Sequence, residues 1–377
     1  MTRQFDIAIV GGGVIGLSLA RALTSSGAAI ALFDAGAIIP PATSAAAGML
    51  APSFESSDAG PALGEPLYHF GARALSLWPD YAAALEAETG VNVDFRGDGT
   101  LGLAFSDDEV KSLSEQAAQV TARGGDAVLI DGGEARKMEP ALSPDTAAAL
   151  WAPQDAQVDP RRLLIALRAA VKKKVVQHIP EKVARIDVGP EGVSCTTQSG
   201  ATFVADKVVL AGGAVSGLAS SEIVFPVKGD ALAVEIEDGA LTRVIRGPGA
   251  YLCPKAGGRV VIGASEARGR TDRDVDDAVI AALKESAAQA VPMLADAGEL
   301  ERWTGLRPGT PDGAPILGEA GERVYLALGH YRNGVLHAPA AAADLAALIV
   351  DGARHADLES FNPSRFSAPV TAAAHHG

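Results

Sequence analysis

The strongest constraint on this chain lies at its N-terminal end. An apolar run at 5–10, rich in Ile and Val, leads into Gly11, Gly12, Gly13 and Gly16. Apolar residues then recur at helical spacing over 14–24, Ser26 and Gly27 close that helix, and a second apolar run at 28–33 stops on Asp34. Runs without polar alternation read as strands buried on both faces of a parallel sheet, and strand, glycine turn, helix and strand make a βαβ unit. Gly11 permits the tight turn out of the strand, Gly13 lets backbone approach a pyrophosphate, and Gly16 lets the helix lie against the sheet. The helix N-terminus, at Val14 and Ile15, faces the anion. Asp34, followed by Ala35, stands where a carboxylate accepts both hydroxyls of a ribose, and an acid there argues against a 2′-phosphate on the ligand.

The length of 377 residues suits one large or two ordinary domains, and 48% hydrophobic against 21% charged residues excludes a disordered chain. Lys and Arg number 32 against 46 Asp and Glu, a net charge of −14 that repels polyphosphate, so no nucleic-acid partner is expected. Two cysteines, Cys195 and Cys253, cannot form a disulfide framework or a metal knuckle, which points to a reducing cytoplasm. No His, Asp and Glu cluster has metal-ligand spacing, and no metal is expected. Residues 35–54 carry no charge before Glu55 but include Pro40, Pro41 and Pro52, which suits a buried loop and not an integral membrane segment. Asp6 interrupts the apolar run that would mimic a signal peptide.

The pattern predicts helices over 66–89, 107–123 and 160–174, the last opened by Asp159 and Pro160. Strands are expected at 99–105, 182–188, 192–197, 201–203 and 207–210, and alternating antiparallel strands at 231–236, 250–253 and 259–263. Thr271, with Asp274 three residues on, reads as a helix start. The chain closes with a strand at 324–328, a turn through Gly329 and Gly334, and a helix over 335–350. No flexible linker separates these parts. The expected fold is α/β, with a Rossmann-like nucleotide-binding domain (1–88, 150–222 and 318–365) interleaved with an α+β substrate domain on an antiparallel sheet (89–149 and 223–317). Residues 366–377 are a loose tail.

Several spaced motifs carry a resemblance. Thr43-Ser44-Ala45-Ala46-Ala47-Gly48-Met49-Leu50, Pro226-Val227-Lys228-Gly229, Tyr251-Leu252-Cys253-Pro254, Gly305-Leu306-Arg307-Pro308-Gly309-Thr310 and Gly329-His330-Tyr331-Arg332-Asn333-Gly334 stand in this order. With the glycine turn they resemble the FAD-dependent D-amino-acid oxidase superfamily from residue 5 to about residue 350, and most closely the glycine oxidases of thiamine biosynthesis. The resemblance implies FAD bound without a covalent bond, since neither cysteine lies where sarcosine oxidases attach flavin. Ala42, Thr43 and Met49 would flank the flavin ring, with Ala47 and Gly48 lying along it, and the backbone of Val183 would meet the adenine. His330, Tyr331, Asn333, Gly334, Val335 and Leu336 would aim the positive end of the last helix at the flavin N1/C2=O edge. Val215 departs from the tryptophan that these flavoproteins often carry there.

The same resemblance implies that Arg332, Arg307 and Tyr251 bind and orient the substrate, a planar carboxylate being best held by a bidentate guanidinium. Arg332 is expected to be the main partner. The implied reaction is oxidative deamination of glycine and small amines such as sarcosine, by hydride transfer from the α-carbon of the neutral amine to flavin N5. It yields an imino acid and reduces oxygen to hydrogen peroxide, for the thiazole branch of thiamine biosynthesis. A flavin-dependent dehydrogenase for D-amino acids or cyclic imino acids that passes electrons to a quinone is the nearest alternative, and a flavin-bound subunit without turnover a more distant one. The resemblance also implies a homo-oligomer, a tetramer. Residues 55–66 have the composition of a lid.

Overall fold

The structure is a computed structural model, and it describes residues 3–35, 42–55, 62–174, 176–215 and 217–366. The centre of the suspected lid, 56–61, and the expected loose tail beyond Phe366 lie outside the described residues.

Two large sheets share the chain. In the first, Arg3–Val10 is central, paired in parallel with Ile30–Phe33 on one side and Thr202–Leu210 on the other. Val176–Ile179 and Val324–Leu328 extend it in parallel on either side, and Ile316–Gly321 closes one edge antiparallel. Side chains alternate across a strand. Ile7 and Ile9 therefore face a layer built from the helices Val14–Leu23, Gly64–Thr89, Pro160–Lys172 and Gly334–Asp351, whereas Ala8 and Val10 face the hairpin of Val183–Gly189 and Gly192–Thr197. The expected strands 201–203 and 207–210 are one strand. Its first half pairs with the hairpin and its second half with Val324–Leu328, so the polar residues between them stay in register.

Among the described residues the second sheet holds nine strands. Phe225–Glu235 runs antiparallel to Gly298–Gly309 along nearly its whole length and also to Arg259–Gly263, which pairs with Ala250–Pro254 and through it Val244–Gly247. The expectation of an antiparallel sheet needs one correction, because Val244–Gly247 pairs in parallel with Thr100–Ala104. Helix Asp277–Ala290 packs on this sheet. It starts at Asp276, whose carboxylate accepts from Ala278 and Val279 N–H, and not at Thr271. The residue next to the apolar stripe of Ile280 and Leu283 wins the cap, because the helix extends only where it can bury a face.

Ala148–Ala152 belongs to the second sheet and Ile316–Gly321 to the first. The boundaries expected at 150 and 318 therefore fall inside strands, and we propose to divide the domains at the strand ends instead. Residues 42–55 are not a plain loop. They form two short helices, Ala42–Ala45 and Pro52–Glu55, and a strand Met49–Leu50 paired with Ala156–Gln157. Among the described residues one helix, Gly334–Asp351, is long and apolar enough to cross a membrane, but it packs inside the molecule against Val14–Leu23 and Gly64–Thr89.

Candidate active site

Between the two sheets runs a cavity of ≈ 570 Å³. One end lies over the C-terminal edge of the first sheet, where Gly11, Gly13, Asp34, Ala35 and Val183 line it; the other end is walled by the second sheet. This is the crevice in which open parallel sheets bind ligands. Val14, Ile15, Ala42, Thr43, Ala47, Gly48, Met49, His330, Tyr331, Gly334 and Val335 line its length. Gly16, Asn333 and Leu336 do not. Gly16 sits beneath the turn, Asn333 is the buried N-cap of Gly334–Asp351, and the Leu336 carbonyl accepts from Trp78 Nε1 at 3.0 Å.

The glycine turn fits a dinucleotide. Gly11 has φ of +125° and a β-carbon on it would lie 2.3 Å from the Ala211 carbonyl oxygen, and a β-carbon on Gly16 would lie 1.9 Å from the Gly11 carbonyl oxygen, so the helix reaches the turn only because Gly16 has no side chain. A β-carbon on Gly13 would meet nothing nearer than Thr43 Oγ1 at 3.6 Å, which leaves that backbone open to the cavity. Gly12 carries a requirement that sequence reasoning missed: its β-carbon would lie 2.1 Å from Asp34 Cγ. The Asp34 carboxylate rests on the turn itself, held by the strand through Asp34 N–H to the Ile179 carbonyl at 3.0 Å. Thr43 Oγ1 accepts from Val14 N–H at 3.1 Å and ties the small-residue segment to the helix start.

At the far end three arginines and a tyrosine converge. Arg307 lies flat on Gly229, where a β-carbon would sit 2.2 Å from its Nη1, and that Nη1 donates to the Ser265 carbonyl at 3.1 Å. Arg307 forms no carboxylate ion pair among the described residues. Tyr251 packs on Gly263, and burial raises its hydroxyl pKa although Arg307 and Arg246 oppose that. Arg332 lines this end of the cavity with Arg307 and Tyr251. Its guanidinium pairs with Glu266 and comes within 4.0 Å of Glu55 Oε2. Arg246, which sequence reasoning missed, bonds Glu55 Oε1. A signal for it existed: the Pro248-Gly249 turn pairs Gly247 with Ala250 and so sets Arg246 directly opposite Tyr251.

Two further groups back the site. Burial pushes the Asp155 carboxyl up to about 7, against a hydrogen bond donated by Ser53 Oγ at 3.0 Å and the charge of Arg246. At the start of the last helix, His330 and His337 pair through Nδ1 atoms 3.3 Å apart, and burial lowers His330 to about 3 and His337 well below its usual value. Both rings are therefore neutral, one Nδ1 donating and the other accepting. The group of described residues with metal-ligand spacing, Asp344, His355 and Asp357, is remote from the cavity lining, and Arg73 bonds both of its carboxylates.

The comparisons agree with this geometry. The family model for FAD dependent oxidoreductases matches residues 6–348. The chain is 34% identical to a glycine oxidase of Geobacillus kaustophilus, over 98% of this chain and 99% of that one. It is 33% identical to a bifunctional ThiO/ThiG protein of Synechocystis, over 97% of this chain and 55% of that longer one. A crystal structure of glycine oxidase from Geobacillus kaustophilus superposes with a TM-score of 0.89, covering 97% of this chain and 100% of that one.

Proposed function

The chain belongs to the FAD-dependent oxidoreductase family, and from that premise we propose that it oxidises glycine and small amines such as sarcosine to the imino acid, with oxygen as acceptor. Hydrogen peroxide is the second product, and the imino acid serves the thiazole branch of thiamine biosynthesis. A cytoplasmic location and a homo-oligomer, a tetramer by resemblance, belong to the same reading.

FAD, when bound, supplies a two-electron acceptor. The cavity suits it: Asp34 and Val183 would hold the adenosine end, the open backbone of Gly13 would meet the pyrophosphate, and Ala47 and Gly48 would lie along the ring. The observation that carries the substrate reading is the Arg307 guanidinium, half-buried against Gly229 with one bond to a carbonyl and no acidic partner among the described residues. A charge so placed favours an incoming carboxylate, and Tyr251 is near enough to feel its charge. Arg332, already paired with Glu266, serves this site better by closing its rim than by holding the substrate. The remaining chemistry asks for orientation of the α-carbon and exclusion of water, which the apolar strip and the two sheets provide.

Glycine added anaerobically to the yellow protein should bleach the flavin, and air should restore it with one equivalent of peroxide. Flavin that glycine leaves oxidised would overturn the substrate. Flavin reoxidised by a quinone and not by air would overturn the acceptor.

A further inference from the structure

The substrate end of the cavity contains a second carboxylate site, and the chain fills it with its own side chain. Glu55 closes the short helix Pro52–Glu55 and is 9% exposed. Its Oε1 bonds Arg246 from the second sheet, and its Oε2 faces Arg332 Nη1 at 4.0 Å. That Oε2 has no hydrogen-bond partner among the described residues. Burial alone would raise the Glu55 pKa, yet Arg246, Arg332 and Arg307 together hold it below the usual carboxylate range.

Arg246 cannot easily swing away. It stands opposite Tyr251 across an antiparallel pair and opposite Gly102 across a parallel one. Its guanidinium lies 5.1 Å from the centroid of Phe54, and Phe54 fits there because Gly102 has no side chain, a β-carbon being 2.7 Å from Phe54 Cε1. Arg246 thus comes from a strand of the second sheet and Arg332 from the turn between Val324–Leu328 and Gly334–Asp351, and what they share is one buried carboxylate. One held guanidinium, with a second, exposed one at the edge of the same anion, forms a recognition site for a carboxylate, whoever supplies it.

With the substrate's α-carboxylate on Arg307 and Tyr251, a second acidic group on the same small molecule would reach toward Arg246, the cross-strand neighbour of Tyr251. Glu55 already stands there. We infer that Glu55 is a specificity-determining residue: it occupies a second carboxylate subsite formed by Arg246 and Arg332, and so restricts the enzyme to amino acids with one acidic group. A diacid would bring a like charge against Glu55 in a desolvated site, where unpaired charges repel strongly, and exclusion by such repulsion is a usual device of selective sites.

This inference rests on the proposed function, and its test separates the two. Iminodiacetate keeps the reacting CH2–N unit of glycine and adds one carboxylate. The ratio of kcat/KM for iminodiacetate to that for glycine should rise at least tenfold in Glu55→Ala, which removes the charge and opens space, and less in Glu55→Gln, which removes only the charge. Glu55→Ala combined with Arg246→Gln should lose the gain. Binding without turnover gives a parallel readout: the dissociation constant of malonate relative to acetate, followed by flavin absorbance, should fall at least tenfold in Glu55→Ala. Wild-type protein that leaves glycine unoxidised defeats the proposed function, while the malonate ratio still decides the subsite. Ratios that stay at the wild-type level in both single variants, or rise equally in the double variant, overturn the inference. Should Glu55→Ala lose its flavin, the isosteric Glu55→Gln and its malonate ratio decide alone.

Discussion

At the scale of single residues, ion-pair partners discriminate between cations that sequence motifs treat alike. Arg307 and Arg332 both stand in glycine-rich motifs, but Arg332 is shared between Glu266 and Glu55, and Arg307 forms no acidic pair among the described residues. Arg307→Ala should therefore cost about 2 to 5 kcal/mol in kcat/KM for glycine, a loss of roughly 30-fold to several thousand-fold, and Arg307→Lys should restore only part. Arg332→Ala should cost less. Steady-state kinetics of the three variants with glycine checks both statements; equal losses in the two alanine variants would refute the ranking. Asp155 offers a pH test. Its folded pKa of about 7 lies above its ordinary value of 3.8, so the native state holds the proton longer than the unfolded chain. Its stabilising contribution is full below 3.8 and is lost as pH rises through 7, at up to about 1.4 kcal/mol per pH unit. The stability difference between wild type and Asp155→Asn, from urea unfolding, should move in favour of the variant between pH 5 and pH 8.

At the scale of elements, the turn between the first strand and the first helix holds both the cofactor's backbone approach and the position of Asp34. Asp34→Ala should weaken FAD binding by about 1.5 to 3 kcal/mol, the range for hydrogen bonds to a charged group, with folding largely preserved. Gly12→Ala should weaken it too, by displacing the Asp34 carboxylate while leaving that side chain intact. Flavin release on dilution measures both, and unchanged retention in Gly12→Ala would show that the turn yields without moving Asp34. The His330 and His337 pair works in the opposite pH sense to Asp155. With the folded pKa of His330 lowered to about 3 from 6.5, its contribution is full above 6.5 and is lost as pH falls toward 3. His337→Leu should make the decline in urea midpoint from pH 7 to pH 5 shallower than in wild type.

At the scale of the whole molecule, the first sheet takes strands from residue 3 to residue 328, while the second sheet takes its own from between them. The central strand Arg3–Val10 has Thr202–Leu210 as one immediate neighbour, and that strand in turn needs Val324–Leu328. We propose that neither domain folds alone. A fragment of residues 1–175, carrying the entire glycine turn and Asp34, should lack cooperative unfolding by circular dichroism and should not retain FAD; a folded, yellow fragment would refute the interleaving.

The sequence by itself determined what depends on neighbours in the chain. The opening βαβ unit, the glycine turn, Asp34 at its strand end and the helix after Gly334 were all legible, because hydrophobic period, glycine and caps act within a few residues. Motif order also brought Arg307, Arg332 and Tyr251 into one expected site. Tertiary structure alone decided how those charges are shared. Glu55 and Arg246 are 191 positions apart and Glu266 and Arg332 are 66 apart, so no local pattern could pair them. The same holds for the start of helix Asp277–Ala290 and for the parallel ladder between Val244–Gly247 and Thr100–Ala104, which follow from where a face can be buried. Burial and pairing depend on which distant segments meet, and a charge takes its chemical role from that environment rather than from its position in a motif.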